Sequence, residues 1–307
     1  MSVSRRVVLA ACVAAALVPT IASAQSPCSN GFDFWFPFLP HVTCRSRPVV
    51  SVSYTHDGDD RSRNVFWAQG AGGGARPVVV LFQGTSSLGL DPLGLDDDGG
   101  TIGPGGTWNH AVSLASPFGA YYQVKVVQTL LDHGFTVIQP AAHYQLGLGY
   151  FWDSNLIWDG SEDQEMIPAL IDAIEDGEFG PADISRLYAT GISSGGYMTS
   201  RMANEFASLP GQLDPERPFR AVAIASASYE SCGGALCVIP VPLPSTHAAT
   251  LFLHGLLDPI VPIVTAELYD FDLRARGIAE RFVVNSFASH QWLSAAPGEV
   301  LSWFQQH

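Results

Sequence analysis

The sequence predicts an α/β fold with a mostly parallel central sheet and helices on both of its faces. Residues 77–82 are uniformly apolar, as expected for a central strand that is covered on both sides. Residues 187–190 form a second short apolar run, which passes through a glycine-flanked turn into good helix formers. Strand and helix patterns alternate through this part of the chain, and the alternation is typical of a parallel sheet.

An antiparallel hairpin is predicted ahead of the parallel strands, from residues 49–54 and 64–68 joined by a polar turn at 57–63. A helix follows near Tyr121 and is expected to end at Gly134. Ser161 and Gln164 predict a capping box at the start of the next helix, whose apolar positions share one face. Further strands are predicted at residues 135–140, 219–225, 250–253 and 281–285, with a short final helix through residues 300–304.

Residues 1–24 have the three parts of a secretory signal. Arg5 and Arg6 precede an apolar run at residues 7–18, and Ala22-Ser23-Ala24 fits an A-x-A cleavage site. The two arginines fit either a general or a twin-arginine export signal. The apolar run is too short for a membrane anchor. We therefore expect a secreted protein, extracellular or periplasmic, whose residues 25–307 form a single domain.

Four cysteines remain once Cys12 leaves with the signal: Cys28, Cys44, Cys232 and Cys237. An even number of cysteines in an exported chain favours disulfides. Proximity in sequence favours Cys28 with Cys44 and Cys232 with Cys237 among the three possible pairings, and free buried thiols are the alternative. The cysteines and histidines lack the spacing of a zinc site, so we expect neither a metal nor a cofactor.

The strand-to-helix turn at residues 191–195 contains a candidate nucleophile. Gly191-Ile192-Ser193-Ser194-Gly195 matches the pattern G-x-S-x-G with Ser193 at its centre. A serine on such a turn forms a nucleophile elbow, and small neighbours allow the turn to pack against its strand. The five residues alone also fit an ordinary turn, so the interpretation depends on an acid and a histidine downstream.

In the fold that uses this elbow, the acid and then the histidine follow the nucleophile along the chain. His290 and His307 lie beyond the best acid, and His307 is the last residue, so His290 is the predicted base. Asp258 is the predicted acid because it follows the strand at 250–253 closely enough to orient the histidine. His254 is expected to pack beneath this loop. Three rival acids fall on a predicted helix: Glu267, Asp270 and Asp272.

Two preorganised donors are needed for the oxyanion that forms when the serine attacks a carbonyl group. The backbone N–H of Ser194 is the first, because it directly follows the nucleophile. The second should come from the loop after residues 77–82. The N–H of Thr85 is the predicted donor, with Gly84 allowing the backbone to approach.

From residue 77 onward the chain resembles the secreted polyhydroxyalkanoate depolymerases, which are related to feruloyl and acetylxylan esterases within the α/β hydrolases. The residues that carry the resemblance are Ser161-Glu162-Asp163 at a helix start, residues 186–191 before the serine turn, Leu253-His254-Gly255 with Asp258 and Val261-Pro262, and His290 with Trp292. The resemblance implies an α/β-hydrolase catalytic domain. Many relatives have His-Gly where this chain has Gln83-Gly84, so the second oxyanion donor is the least determined part of the site.

The resemblance also implies an activity: hydrolysis of the ester bonds of a hydrophobic extracellular polyester through a Ser-His-Asp triad and an acyl-enzyme. The G-I-S-S-G turn and the compact chain without a carboxyl-terminal polymer-binding module resemble the enzymes for medium-chain-length polyhydroxyalkanoates. A carboxylesterase or feruloyl-type esterase on smaller esters and a hydrolase of oxidised polyvinyl alcohol are alternatives. A secreted adhesion protein on the same scaffold is the non-enzymatic alternative.

Charge limits the partners of the chain. With 15 lysines and arginines against 29 aspartates and glutamates, the net charge is −14. Such a surface repels nucleic acid and anionic lipid but does not affect a neutral ester. The glycine-rich residues 88–116 contain Asp91 and three consecutive aspartates without EF-hand spacing, so we expect a solvated loop. The aromatic segment at residues 31–40 is expected to cover the core rather than to adsorb to a polymer.

Overall fold

The computed structural model describes residues 26–32, 38–85, 112–114, 119–145, 149–154, 158–207, 218–233, 236–237 and 243–307. The predicted signal at residues 1–24 lies outside these ranges. So does the glycine-rich loop, apart from residues 112–114.

The described chain contains strands β1 (Cys28–Phe32), β2 (Pro40–Cys44), β3 (Val50–His56), β4 (Asp59–Gln69), β5 (Arg76–Phe82), β6 (Val112–Ser113), β7 (Thr136–Pro140), β8 (His143–Gln145), β9 (Gly149–Phe151), β10 (Ala182–Ile192), β11 (Phe219–Ala225), β12 (Cys232–Gly233), β13 (Leu236–Cys237), β14 (Ala249–Gly255) and β15 (Glu280–Asn285). Its helices are α1 (Ala120–Asp132), α2 (Glu162–Glu175), α3 (Ser194–Glu205), α4 (Ile263–Ala275) and α5 (Ala296–Gln306).

An eight-stranded sheet organises these elements in the order β15-β14-β11-β10-β5-β7-β4-β3. The six strands from β15 to β7 run parallel to their neighbours. The strands β4 and β3 extend the sheet as an antiparallel hairpin. The sequence predicts this arrangement, a mostly parallel sheet preceded along the chain by a hairpin, and the structure confirms it.

Helices cover both faces of the sheet. On one face α1 and α5 pack together and bury Val124, Leu131 and Phe304. On the other face α2, α3 and α4 form the second core layer, which includes Ile167 and Met202. Because both faces are covered, residues 78–82 of β5 are all buried, which explains their uniformly apolar character.

The hairpin turn and the start of α2 both differ from their predictions. The hairpin turn is not the polar stretch 57–63 but only Asp57 and Gly58, which have φ of 52° and 84°, and β4 begins at once. A two-residue turn with positive φ matches the twist of the flanking strands. The start of α2 is also modified. Ser161 Oγ accepts the N–H of Gln164 as predicted, whereas the Gln164 side chain accepts the N–H of Gly160 rather than that of Ser161.

Both disulfides join the cysteines that are close in sequence, Cys28 with Cys44 across β1 and β2, and Cys232 with Cys237 across β12 and β13. The described phenylalanines of the segment 31–40, Phe32 and Phe38, are 67% and 74% exposed, so these two rings do not cover the core as expected. Both rings lie near the turn of the β1–β2 hairpin, whereas the disulfide joins the strands at the other end. No helix in the described ranges is long and apolar enough to cross a membrane.

Candidate active site

The strand β10 ends in a sharp turn that presents Ser193 at the start of α3. Ser193 has φ of 56° and ψ of −122°, a conformation that costs a residue with a side chain on the order of 1–3 kcal/mol. Its N–H donates to the carbonyl of Ala225 at 3.1 Å, and its own carbonyl accepts the N–H of Tyr197 at 3.0 Å. These bonds hold the strained turn in place, as expected for a nucleophile elbow.

Close backbone packing explains the glycines of this turn. A Cβ at Gly195 would lie 2.2 Å from the carbonyl oxygen of Phe82 and 2.3 Å from that of Gln83. A Cβ at Gly191 would lie 2.4 Å from the carbonyl oxygen of Gly195. No side chain fits at these distances, so the two glycines allow the end of β5 to pack directly against the elbow.

Asp258 and His290 form a buried hydrogen-bonded pair, in which His290 Nδ1 lies 2.8 Å from Asp258 Oδ2. The other carboxylate oxygen, Oδ1, accepts the N–H groups of Ile260 and Val261, each at 2.9 Å. His254 packs beneath this loop as expected, with Nε2 3.0 Å from the carbonyl of Val261 and 3.5 Å from Asp258 Oδ2. Each oxygen of Asp258 therefore has a defined partner, and the imidazole of His290 has a defined orientation.

The charge state of Asp258 follows from these contacts. Burial alone would favour the protonated carboxyl group, but hydrogen bonds from His254, His290 and the Val261 N–H outweigh it and hold the pKa of Asp258 well below its usual range. The carboxylate is thus ionised at neutral pH and accepts the Nδ1–H of His290. In the neutral imidazole, this tautomer leaves Nε2 as the ring nitrogen without a proton, which is the atom that can accept one.

All three predicted residues lie at one edge of the sheet, since Ser193 ends β10, Asp258 follows β14 and His290 follows β15. The carboxyl ends of parallel strands meet at such an edge. Hydrogen bonds also connect the elbow to the histidine loop. Ser193 binds the carbonyl of Ala225, and the next residue, Ser226, donates its hydroxyl to the carbonyl of Gln291 at 3.4 Å. The neighbour of His290 is therefore held beside the strand end that supports the elbow.

The two predicted oxyanion donors belong to the start of α3 and to the residues that follow β5. The N–H of Ser194 is the first of α3, at the end of a helix where N–H groups lack partners within the helix and the helix dipole is positive. Thr85 is exposed just beyond β5. A Cβ at Gly84 would lie 3.7 Å from the Cβ of Ser193, which is an ordinary contact. Gly84 thus lies against the elbow, and the nearest protein atom to a Cβ there would be the Ile192 carbonyl oxygen, at 3.4 Å.

The side chain of Gln83 is a feature that sequence reasoning missed. It is fully buried at the end of β5, and neither of its amide atoms has a hydrogen-bond partner within the described ranges. Leaving such a group unpaired costs about 1–3 kcal/mol. The carbonyl oxygen of Gln83 accepts the indole N–H of Trp152 at 3.0 Å. The sequence does mark this position, because Gln83-Gly84 stands where many relatives have His-Gly. It does not show that the Gln83 side chain is buried.

A buried charged cluster supports the loop that carries Trp152. Asp163 on α2 binds the guanidinium of Arg63 on β4 and accepts the N–H of Asp153 at 2.8 Å. Burial opposes ionisation, but hydrogen bonding by His143 and the charge of Arg63 lower the pKa of Asp163. In the described part of the chain, His143, Asp153 and Asp163 could together offer ligands to a metal. Because Arg63 and a peptide N–H already bind the oxygens of Asp163, we interpret the cluster as structural support.

Comparison with known proteins identifies the family. No family model matches the sequence. The chain is 45% identical over 239 residues to the poly(3-hydroxyoctanoate) depolymerase of Pseudomonas fluorescens, and the alignment covers 76% of this chain and 75% of that protein. The chain belongs to the poly(3-hydroxyoctanoate) depolymerase family. Membership of this depolymerase family makes it a carboxylic ester hydrolase, as predicted.

Solved structures show the fold of this depolymerase family member. A lipase/esterase from Lactobacillus plantarum matches with a TM-score of 0.54 at 11% identity, covering 85% of this chain and 98% of that one. Esterase 2 of Thermogutta terrifontis matches with a TM-score of 0.51 at 14% identity, covering 86% and 93%. At these identities the likeness concerns the fold, and it confirms the α/β-hydrolase fold that the sequence predicts.

Proposed function

We propose that the chain hydrolyses the ester bonds of a hydrophobic, medium-chain-length poly(3-hydroxyalkanoate) through an acyl-enzyme on Ser193. The proposed substrate rests on the 45% identity to a protein named for poly(3-hydroxyoctanoate). Two features support the chemistry: the strained elbow at Ser193 and the buried pair of Asp258 and His290 at the same edge of the sheet.

The first half of the reaction transfers the acyl group to the enzyme. Ser193 Oγ attacks the ester carbonyl carbon while His290 Nε2 takes the hydroxyl proton. Asp258 accepts the Nδ1–H and stabilises the resulting imidazolium. The N–H groups of Ser194 and Thr85 bind the tetrahedral oxyanion. When the carbon–oxygen bond of the ester breaks, the proton on Nε2 passes to the leaving oxygen and releases a chain with a free hydroxyl group.

The second half regenerates the enzyme. Water attacks the acyl carbon and gives a proton to His290 Nε2, and the same two N–H groups bind the second oxyanion. The bond to Ser193 then breaks, and the proton returns from Nε2 to Ser193 Oγ. The product is a hydroxy-acid oligomer or monomer with a free carboxylate.

We also propose that the enzyme is exported before it acts. The pattern of residues 1–24 supports this, and so do the two disulfides, because such bonds persist in oxidising compartments. Mass spectrometry of the exported protein should find Gln25 at its amino terminus. Retention of the active enzyme in the cytoplasm with residues 1–24 attached would contradict the proposal.

Clearing of polymer latex tests the substrate. We expect the enzyme to clear poly(3-hydroxyoctanoate) latex faster than polyhydroxybutyrate latex, and to hydrolyse nitrophenyl octanoate as a soluble reference. Hydrolysis of the soluble ester without clearing of either latex would overturn the polyester substrate and favour an esterase of small esters.

A fluorophosphonate probe tests the nucleophile. We expect a covalent adduct on Ser193 in the wild-type enzyme and none in Ser193→Ala. Ser194→Ala is the matched control, because it keeps the backbone N–H and removes a buried hydroxyl that has no partner among the described residues. The control should still form the adduct. A wild-type enzyme that forms none would refute the acyl-enzyme and favour a non-catalytic binding protein.

A further inference from the structure

The outer face of α4 is apolar, whereas the solvent face of a surface helix is normally polar. Val264, Leu268 and Phe271 are 52%, 45% and 67% exposed. At about 100° per residue, these three side chains fall within an arc of about 60° on the helix surface. The exposed Glu267 and Arg274 lie together on one side of that arc. The opposite face of α4 is buried in the core, so the stripe is not needed to attach the helix to the sheet.

Further exposed apolar residues lie on the loops that carry the candidate acid and base. Leu257 and Ile260 lie on either side of the acid, with 60% and 47% exposure, and α4 begins just after them. Phe287, three residues before His290, is 92% exposed. The two loops are joined where the N–H of Leu257 donates to the carbonyl of Ala288 at 3.0 Å. We call Leu257, Ile260, Val264, Leu268, Phe271 and Phe287 the apolar ridge.

The apolar ridge is large enough to act as an interaction surface. At about 100 Å² of apolar surface for a Val or Leu side chain and about 200 Å² for Phe, the three stripe residues of α4 together expose roughly 230 Å², and Phe287 on the neighbouring loop adds roughly 180 Å². Contiguous exposed apolar patches of several hundred Å² mark sites of interaction on soluble proteins.

We propose that the apolar ridge adsorbs the enzyme to the solid surface of its hydrophobic polyester; this inference rests on the proposed function. The polymer is uncharged and apolar. The side chains of the apolar ridge are also uncharged, so they can be buried against the polymer without removing a charge from water. A second copy of the chain or an anionic membrane suits it less, because the chain has a net charge of −14 and would be repelled by either. Adsorption through loops that also hold Asp258 and His290 brings polymer chains to the edge of the sheet where Ser193 lies.

Adsorption is measured without hydrolysis in the full-length exported enzyme carrying Ser193→Ala. The ridge variant combines Val264→Thr, Leu268→Gln and Phe271→Gln, which removes apolar surface and leaves the net charge unchanged. The matched control combines Phe32→Gln and Phe38→Gln, which removes similarly exposed rings from the β1–β2 hairpin. Circular dichroism melting of each protein verifies that it is folded.

We expect the binding constant for poly(3-hydroxyoctanoate) particles to fall about tenfold or more in the ridge variant and to stay within about twofold in the control, because apolar burial drives this adsorption. With Ser193 restored, clearing of the latex should fall by a similar factor relative to hydrolysis of nitrophenyl octanoate. A ridge variant with unchanged adsorption, or a loss confined to the hairpin variant, would overturn the proposal.

Different experimental results are expected if the apolar ridge binds something other than the polymer. A wild-type dimer in sedimentation that the ridge variant dissociates would assign the ridge to a second copy. Binding to phosphatidylcholine vesicles without binding to polymer particles would assign it to a lipid surface. If the wild-type enzyme hydrolyses nitrophenyl octanoate but neither adsorbs to the polymer nor clears it, the polyester substrate itself fails. If it clears the polymer and the ridge variant does so equally well, only the adsorption surface fails.

Discussion

Replacing Asp258 with asparagine isolates the contribution of the carboxylate to the proposed reaction. The Oδ1 position of residue 258 must accept the N–H groups of Ile260 and Val261 at 2.9 Å, so the oxygen of the new amide is held there. The amide NH₂ is then directed at His290 Nδ1, which lies 2.8 Å from the oxygen it replaces. Two donors cannot bond to each other, and the imidazole proton moves from Nδ1 to Nε2.

A protonated Nε2 cannot accept the proton of Ser193. We therefore expect Asp258→Asn to lower kcat by about 10⁴-fold, which corresponds to about 5 kcal/mol in activation free energy. The assay is initial-rate hydrolysis of nitrophenyl octanoate at neutral pH, with thermal melting to verify that the variant is folded.

Asp270→Asn is the matched control for this substitution. Asp270 also follows Ser193 in chain order, but it lies on α4 and binds Arg274 at 2.7 Å. We expect its replacement to change kcat by less than about threefold, since a partly exposed ion pair contributes about 1 kcal/mol or less and touches no reacting group. An Asp258→Asn enzyme that keeps a tenth of the wild-type kcat, or an Asp270→Asn enzyme that loses activity, would refute the assignment of the acid.

Three further substitutions test the supporting structure. Gly195→Ala places a Cβ about 1 Å too close to the carbonyl oxygens of Phe82 and Gln83. A displacement of the elbow by that distance should lower kcat/KM by about 10²-fold. Gly298→Ala is the control and should leave kcat/KM unchanged, because no atom lies within 4 Å of the new Cβ. Burial lowers the pKa of His247 to about 4, so the unfolded chain takes up a proton first as pH falls from 6.5 to 4. Protonation of His247 in the unfolded chain should remove about 3 kcal/mol from the free energy of unfolding between pH 6.5 and 4. In denaturant titrations, the free energy of unfolding of His247→Gln should therefore depend less on pH than that of the wild type. The same pH dependence in both proteins would refute the buried neutral imidazole. Arg63→Met leaves Asp163 buried without its cation and should cost about 3–5 kcal/mol in urea unfolding; a loss below about 1 kcal/mol would contradict the structural role of that cluster.

Much of the fold was predictable because its signals are local. An apolar run marks β5, and glycine-rich residues between apolar and helix-forming runs mark the elbow at Ser193. The cap of α2 is local as well, because Ser161 Oγ accepts the N–H of Gln164, only three residues along the chain. The hairpin turn was misplaced because polar residues suit both a turn and an exposed strand. There the backbone conformation of Asp57 and Gly58 decides between the two.

For the candidate site, chain order selected Asp258 and His290, because the fold delivers the acid and the base from later strands. Contacts between distant segments were not predictable. The buried amide of Gln83 and its carbonyl bond to Trp152 depend on how a loop many residues away is held against β5. Asp163 binds that loop through the N–H of Asp153 and is itself paired with Arg63, and no sequence motif connects these residues.

The sequence by itself determined which segments form strands and helices, which cysteines are close enough to pair, and the order of the candidate catalytic residues. Only the tertiary structure decided which surfaces meet solvent. Helical spacing shows that Val264, Leu268 and Phe271 share one face of α4, but apolar residues such as Tyr269 and Leu273 occupy the other face as well. Packing against the sheet buries one of these faces and leaves the other exposed, and no periodicity within the helix distinguishes the two.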